Sequence, residues 1–219
     1  MRVGNIVAAA PVCDAAEAVS AGASRYGEEM TTRRDLVLGG GVALLAAAAA
    51  PVRAEAVLNE DGLYREPWFI ESFLEIGDDL EQAAKRGKRF AVMWELRGCP
   101  YCRETHLVNF ARPDISAFVR ENFDILQLNI VGSRKVTDFG GSELGEKQFA
   151  ARYGLRFTPT IQFFPTSAAG LKDLDPAKRE VARIAGYLRP DDFLAMFRYV
   201  REEAYHKGSF RDFLKSGGG

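Results

Sequence analysis

The sequence predicts an α/β domain whose central mixed β-sheet is flanked by helices. Three observations predict this class. A segment with helical periodicity precedes a short, continuously apolar run, which is typical of a strand buried on both faces. A Cys-x-x-Cys motif then begins a second helix directly after that strand. The last part of the chain predicts two strands and a closing helix, so antiparallel pairs are added to a βαβ unit.

The first elements follow from the spacing of apolar residues. Residues 57–66 are largely polar and predict an extended lead-in. Apolar residues then recur at intervals of four and three, which predicts a helix over 69–83 that ends before Gly87. These residues are Phe69, Phe73, Ile76, Leu80 and Ala83. The run Phe90-Ala91-Val92-Met93-Trp94 predicts the buried strand.

The remaining elements are predicted by the same criteria. In chain order we expect a helix over 102–110, a short helix over 114–118, a strand over 123–131, a helix over 146–153, strands over 160–164 and 179–188, and a helix over 190–204. Residues 131–144 contain three glycines and predict a loop longer than most connections. We expect this loop to contribute to partner recognition.

Residues 1–56 predict an N-terminal extension followed by an export signal, and residues 57–219 predict the folded domain. Thr32-Arg33-Arg34-Asp35-Leu36-Val37-Leu38 is similar to a twin-arginine signal. An apolar run over 39–50 and the small-x-small pattern Ala54-Glu55-Ala56 follow in the expected order. An Ala-rich helix of the mature domain is the alternative interpretation. The signal predicts a periplasmic protein.

The position of this signal also bears on the start of translation. Met30 lies two residues before Thr32, so a chain that starts there has an ordinary n-region. We therefore expect Met30 to be the true start. Cys13 lies upstream of the cleavage pattern, so the mature domain keeps only Cys99 and Cys102.

Composition argues against several classes of protein. The net charge is -1 and no basic stripe stands out, so we expect no nucleic-acid partner. Three cysteines are too few for a disulfide-stapled scaffold, and two histidines that lie far apart do not predict a metal site. We expect no cofactor.

The tetrad Cys99-Pro100-Tyr101-Cys102 stands where a strand gives way to a helix. The reactive species of cysteine is the thiolate, and a helix N-terminus favours the anion. Cys99 is therefore the expected nucleophile, and Cys102 the thiol that resolves the mixed disulfide. A zinc site would need about four ligands, and a structural disulfide across so short a loop would remove little chain entropy.

These residues, with Thr158-Pro159-Thr160 opening a later strand, resemble the thioredoxin superfamily over about residues 66–205. The resemblance implies the thioredoxin fold. It also implies that Cys99 attacks, that Cys102 resolves, and that Pro159 is the cis-proline facing the disulfide. Thr158 would offer backbone groups to an extended substrate, and Pro100 and Tyr101 would contact it.

Residues 94–104, 127–129, 132–134 and 156–160 are similar to the periplasmic thioredoxin-like proteins of bacterial sulfur-oxidation systems, often called SoxW. That resemblance implies a monomer that reduces disulfides of periplasmic proteins and receives electrons from a membrane thiol reductant. Cytosolic thioredoxin has a buried Asp where this chain has Met93. Glu95 shares the predicted face of the strand, so it is a candidate proton acceptor for Cys102.

His106 and the overall function each have more than one interpretation. His106 follows Cys102 by four residues, so it is either a base near the sulfurs or, as we expect, a packing or surface residue. The runner-up functions are a disulfide isomerase and a sulfenic-acid reductase. A copper-binding thiol protein is the alternative from another class. The sequence does not determine whether the pair oxidises or reduces.

Overall fold

The computed structural model describes residues 56–218. The predicted signal, Met30 and Cys13 lie outside the described residues. No helix within 56–218 is long and apolar enough to cross a membrane.

The described residues contain a central sheet of four strands and two separate pairs of shorter strands. In chain order the strands are β1 Val57–Leu58, β2 Tyr64–Arg65, β3 Arg89–Glu95, β4 Phe123–Asn129, β5 Lys135–Thr137, β6 Glu143–Gly145, β7 Thr160–Phe163 and β8 Ala182–Ala185. The α-helices are α1 Ile76–Lys85, α2 Pro100–Glu104, α3 Pro113–Asn122, α4 Glu146–Arg152, α5 Pro190–Arg201 and α6 Phe210–Lys215. A π-helix over Thr105–Phe110 continues α2.

The central sheet has the strand order β4-β3-β7-β8. Strands β3 and β4 are parallel and are joined by α2, the π-helix and α3. Strand β7 is antiparallel to both β3 and β8. The predicted mixed sheet with its flanking helices is therefore confirmed.

The sheet is covered on both faces, which explains the continuous apolar run in β3. All seven residues of β3 are buried. Ala91 and Met93 contribute to the apolar core that includes α3 and α5. Trp94 contributes to the core on the opposite face, with α1 and α4. By the alternation of side chains along a strand, Glu95 falls on the same face as Ala91 and Met93.

The first helix is shorter than its apolar spacing predicts. It begins at Ile76 instead of residue 69, because Leu74 has a φ of 65°, which lies in the left-handed region and interrupts a right-handed helix. The Ile70 amide donates to the Ile125 carbonyl of β4, and Phe73 is fully exposed. Residues 131–144, predicted as a loop, contain the antiparallel pairing of β5 with β6.

Candidate active site

The cysteine pair lies where β3 ends and α2 begins. Cys99 is the N-cap residue of α2, and its Sγ accepts a hydrogen bond from the Cys102 amide at 3.1 Å. The two sulfurs form a disulfide, with the Cα atoms 5.3 Å apart. Cys99 is half-buried, whereas Cys102 is only 4% exposed. Only the first sulfur is open to attack by a partner, and the amide beside it favours its thiolate when the pair is reduced.

The segment before β7 faces the first cysteine. The peptide bond between Thr158 and Pro159 is cis. The carbonyl oxygen and the hydroxyl oxygen of Thr158 each lie 3.4 Å from the Cys99 sulfur. Pro159 is buried, and Thr158 is partly exposed. The two predicted elements of the site, far apart in sequence, are thus in contact.

Tyr101, an exposed residue of the tetrad, contacts Tyr187, which no sequence motif indicated. Tyr101 stacks on Tyr187, with ring centroids 5.9 Å apart. The Tyr187 hydroxyl donates to Asn109, and the Asn109 amide donates to the Leu188 carbonyl. Burial, and secondarily the charge of Glu104, raises the pKa of Tyr187 and keeps it a donor.

Glu95 is fully buried. It lines the same cavity of about 390 Å³ as Cys102, together with Tyr64 and Arg103. The Glu95 carboxylate accepts hydrogen bonds from the side-chain amide of Gln127 and from His106 Nε2, the latter at 3.1 Å. Met93, at the position of the acid in cytosolic thioredoxin, belongs to the apolar core.

His106 is buried, but its surroundings are ionic as well as apolar. Its Nδ1 lies 2.9 Å from a Glu66 oxygen, and its Nε2 contacts Glu95. Burial favours the neutral ring, but hydrogen bonds to Glu66 and Glu95 outweigh it and raise the pKa of His106 to about 9. No sequence motif indicated Glu66, since 40 residues separate it from His106.

No group of three or more histidine, cysteine, aspartate or glutamate side chains within 56–218 is arranged to hold a metal ion. The geometry describes a two-cysteine exchange site. Cys99 is accessible and caps a helix, whereas Cys102 is buried and lines the same cavity as Glu95.

Comparison with known proteins adds to this geometry. A family model described as a thioredoxin-like domain matches residues 76–201. A search of curated proteins found no match.

Several solved structures are similar to the chain. A thioredoxin-fold protein from Helicobacter pylori is 17% identical, with 64% of this chain and 92% of that chain covered and a TM-score of 0.44. A thioredoxin from Thermus thermophilus is 23% identical, with coverage of 57% and 83% and a TM-score of 0.44. The oxidised C-terminal domain of DsbD from Neisseria meningitidis is 14% identical, with coverage of 55% and 88% and a TM-score of 0.37.

The family model covers more than half of the chain. The chain therefore belongs to the thioredoxin-like domain family.

Proposed function

We propose that this protein is an exported thiol–disulfide oxidoreductase that reduces disulfides of periplasmic partner proteins. The fold and the cysteine pair support thiol oxidoreductase chemistry in general terms. One observation carries the proposal further: Cys99 is accessible and hydrogen-bonded at a helix N-terminus, while Cys102 is buried one turn behind it. This asymmetry suits one attacking and one resolving sulfur.

The reaction begins with attack of the Cys99 thiolate on the partner's disulfide. The partner's sulfur–sulfur bond breaks, one of its sulfurs leaves as a thiolate that takes up a proton, and the other is held by Cys99. Cys102 then loses its proton to Glu95 and attacks the Cys99 sulfur. The bond to the partner breaks, and its second sulfur leaves and is protonated. Two electrons have passed from the dithiol to the partner.

Substrate binding is assigned to the exposed surface around Cys99. Thr158 offers backbone groups to an extended segment of the partner, and Pro100 and Tyr101 contact its side chains. In this proposal Pro159 faces the disulfide and keeps this segment beside Cys99.

The biological setting of the proposal comes from the sequence. The twin-arginine-type segment supports export, and the likeness to SoxW-type proteins supports a role beside sulfur-oxidation components. The protein acts as a monomer and is kept reduced by a membrane thiol reductant. It needs no cofactor beyond its own two cysteines.

The activity is tested with a protein disulfide and the reduced protein. We expect turnover by the wild type, no turnover by Cys99→Ser, and accumulation of a mixed disulfide by Cys102→Ser. A reduction potential near about -270 mV supports reduction of partners, whereas one near about -120 mV would contradict it and support oxidation. Wild-type protein that does not exchange with any disulfide refutes the proposal.

Export is tested separately by cell fractionation. Changing Arg33 and Arg34 to Lys should retain the precursor in the cytoplasm, because the paired arginines are the recognised feature of such signals. Arg53→Lys is the matched control and should leave export unchanged. Normal export of the doubly substituted chain contradicts the twin-arginine route.

A further inference from the structure

Three buried polar side chains connect the residue after β2 with the cavity that Cys102 lines. Glu66 follows β2, His106 belongs to the π-helix, and Glu95 ends β3. Each of the three is at most 2% exposed. His106 Nδ1 lies 2.9 Å from Glu66, and its Nε2 lies 3.1 and 3.2 Å from the two oxygens of Glu95. Because both ring nitrogens face carboxylates, both donate, and the ring is an imidazolium.

The position of the imidazole ring is determined by its neighbours. Tyr64 stacks at 6.2 Å between centroids, and Phe69 and Phe110 lie at 5.8 and 5.6 Å. The π-helix carries His106 into this aromatic enclosure, and π-helical turns are frequent at functional sites. His106 does not line the cavity beside Cys102, so any effect on the sulfur passes through Glu95.

The charges of Glu66, His106 and Glu95 do not balance. Two carboxylates flank one imidazolium, so the three groups together carry one negative charge. Burial of an unneutralised carboxylate is costly, and uptake of one proton removes the excess. The proton-accepting group nearest to Cys102 within the cluster is Glu95, since the two line the same cavity.

We propose that His106 is a positioning residue for thiol–disulfide exchange, which holds the Glu95 carboxylate at the cavity that it shares with Cys102, while Glu66 anchors the opposite side of the ring. This inference rests on the proposed function. When Cys102 attacks, its proton passes to Glu95, and the imidazolium remains between the two carboxyl groups. The proton leaves Glu95 when the pair is next reduced and Cys102 again becomes a thiol.

The groups that face Glu95 determine how its protonation should respond to substitution. His106 from the π-helix and Gln127 from β4 contact it directly. Cys102, Tyr64 and Arg103 share its cavity. Replacing the imidazolium by a neutral side chain removes the cation that both carboxylates contact. Replacing Glu66 leaves that cation to Glu95 alone, so the two substitutions change the charge around Glu95 in opposite directions.

The test measures the resolving step across pH with dithiobis(nitrobenzoate). Attack by Cys99 releases a first thionitrobenzoate, and resolution by Cys102 releases the second. In His106→Gln, the pH midpoint of the second phase should rise by about one unit, which slows that phase on the order of tenfold below the midpoint. In Glu66→Gln the midpoint should move to lower pH. A merely structural role would not produce shifts of opposite sign.

Asp138→Asn is the control, because it removes a different buried carboxylate and should leave the midpoint unchanged. If His106→Gln does not fold, the shift in Glu66→Gln alone tests the role of His106. The side-chain amide oxygen of that variant can still accept a hydrogen bond from His106 Nδ1. Unmoved midpoints, or shifts in the same direction, overturn the role of His106 while the proposed function stands. A wild type that never releases the second thionitrobenzoate refutes the proposed function itself.

Discussion

Two ionic clusters in this domain, each centred on a buried side chain, have opposite charge balance. The His106 cluster consists of Glu66, His106 and Glu95, with two carboxylates for one cation. The Asp138 cluster consists of Asp138, Arg152 and Arg179, with two guanidiniums for one carboxylate. Glu95 of the first cluster lines the same cavity as Cys102, whereas Asp138 of the second lies at the turn between β5 and β6.

The surroundings of Asp138 explain why its cluster is structural. Its carboxylate also accepts hydrogen bonds from the amides of Gly140 and Ser142, so it closes the turn. Burial raises the pKa of Asp138, but these amides and the two arginines outweigh burial and hold it below its usual value. Such a carboxylate stays charged and holds a loop in place. A cluster with excess carboxylate beside a sulfur can instead exchange a proton.

The largest expected effect is on stability, from Asp138→Asn. This change leaves the guanidinium of Arg179, which is 8% exposed, without its buried counter-charge. We expect a loss of about 3–5 kcal/mol in the free energy of unfolding. The loss should be present at neutral pH and disappear as the pH falls through the lowered pKa of Asp138, because the wild-type carboxylate is then protonated as well.

Denaturant unfolding at several pH values measures this difference. Disulfide turnover per folded molecule should be unchanged. If turnover also falls, the Asp138 cluster contributes to the reaction and is not purely structural.

The His106 cluster should show the opposite pH dependence. The pKa of His106 is raised from 6.5 to about 9, so its contribution is fully present below pH 6.5 and is lost as the pH rises through 9. We expect the oxidised wild type to lose about 3 kcal/mol over this interval relative to His106→Gln. Unfolding of the oxidised protein is the measurement, because the cysteines then do not titrate. Parallel stability curves for the two proteins would contradict an imidazolium in the folded state.

The third effect concerns rate. Glu95→Gln keeps the shape of the side chain but removes the proton acceptor, so release of the partner should slow by about 100-fold. Attack by Cys99 on the partner should be little affected. Stopped-flow comparison of the two phases separates the steps, and equal release rates at every pH would exclude Glu95 as the acceptor.

The smallest expected effect is from Arg152→Met. This side chain is 36% exposed, and Arg179 remains to neutralise Asp138. We expect a loss of about 0.5–1 kcal/mol in the free energy of unfolding. A loss as large as that of Asp138→Asn would mean that Arg152, and not Arg179, holds the buried charge.

Three features can be predicted from the sequence: the α/β class, the buried strand β3 and the position of the cysteine pair at a helix start. These features depend on local spacing: an apolar run of strand length, and two cysteines one turn apart. The alternation along β3 also made Glu95 a candidate before its surroundings were known. The predicted start of α1 is wrong, because the spacing of apolar residues does not reveal the left-handed φ of Leu74.

The surroundings of the two sulfurs depend on contacts between distant parts of the chain. Thr158 meets Cys99 across 59 residues, and Glu66 meets His106 across 40. The spacing of His106 from Cys102 was visible in the sequence, but its charge was not, because the pKa of a buried imidazole depends on which groups the fold brings to it. The position of the two thiols at a helix start follows from the local sequence. Folding then gives Cys102 a cavity that it shares with Glu95, and it brings Glu95 into contact with the buried imidazolium of His106.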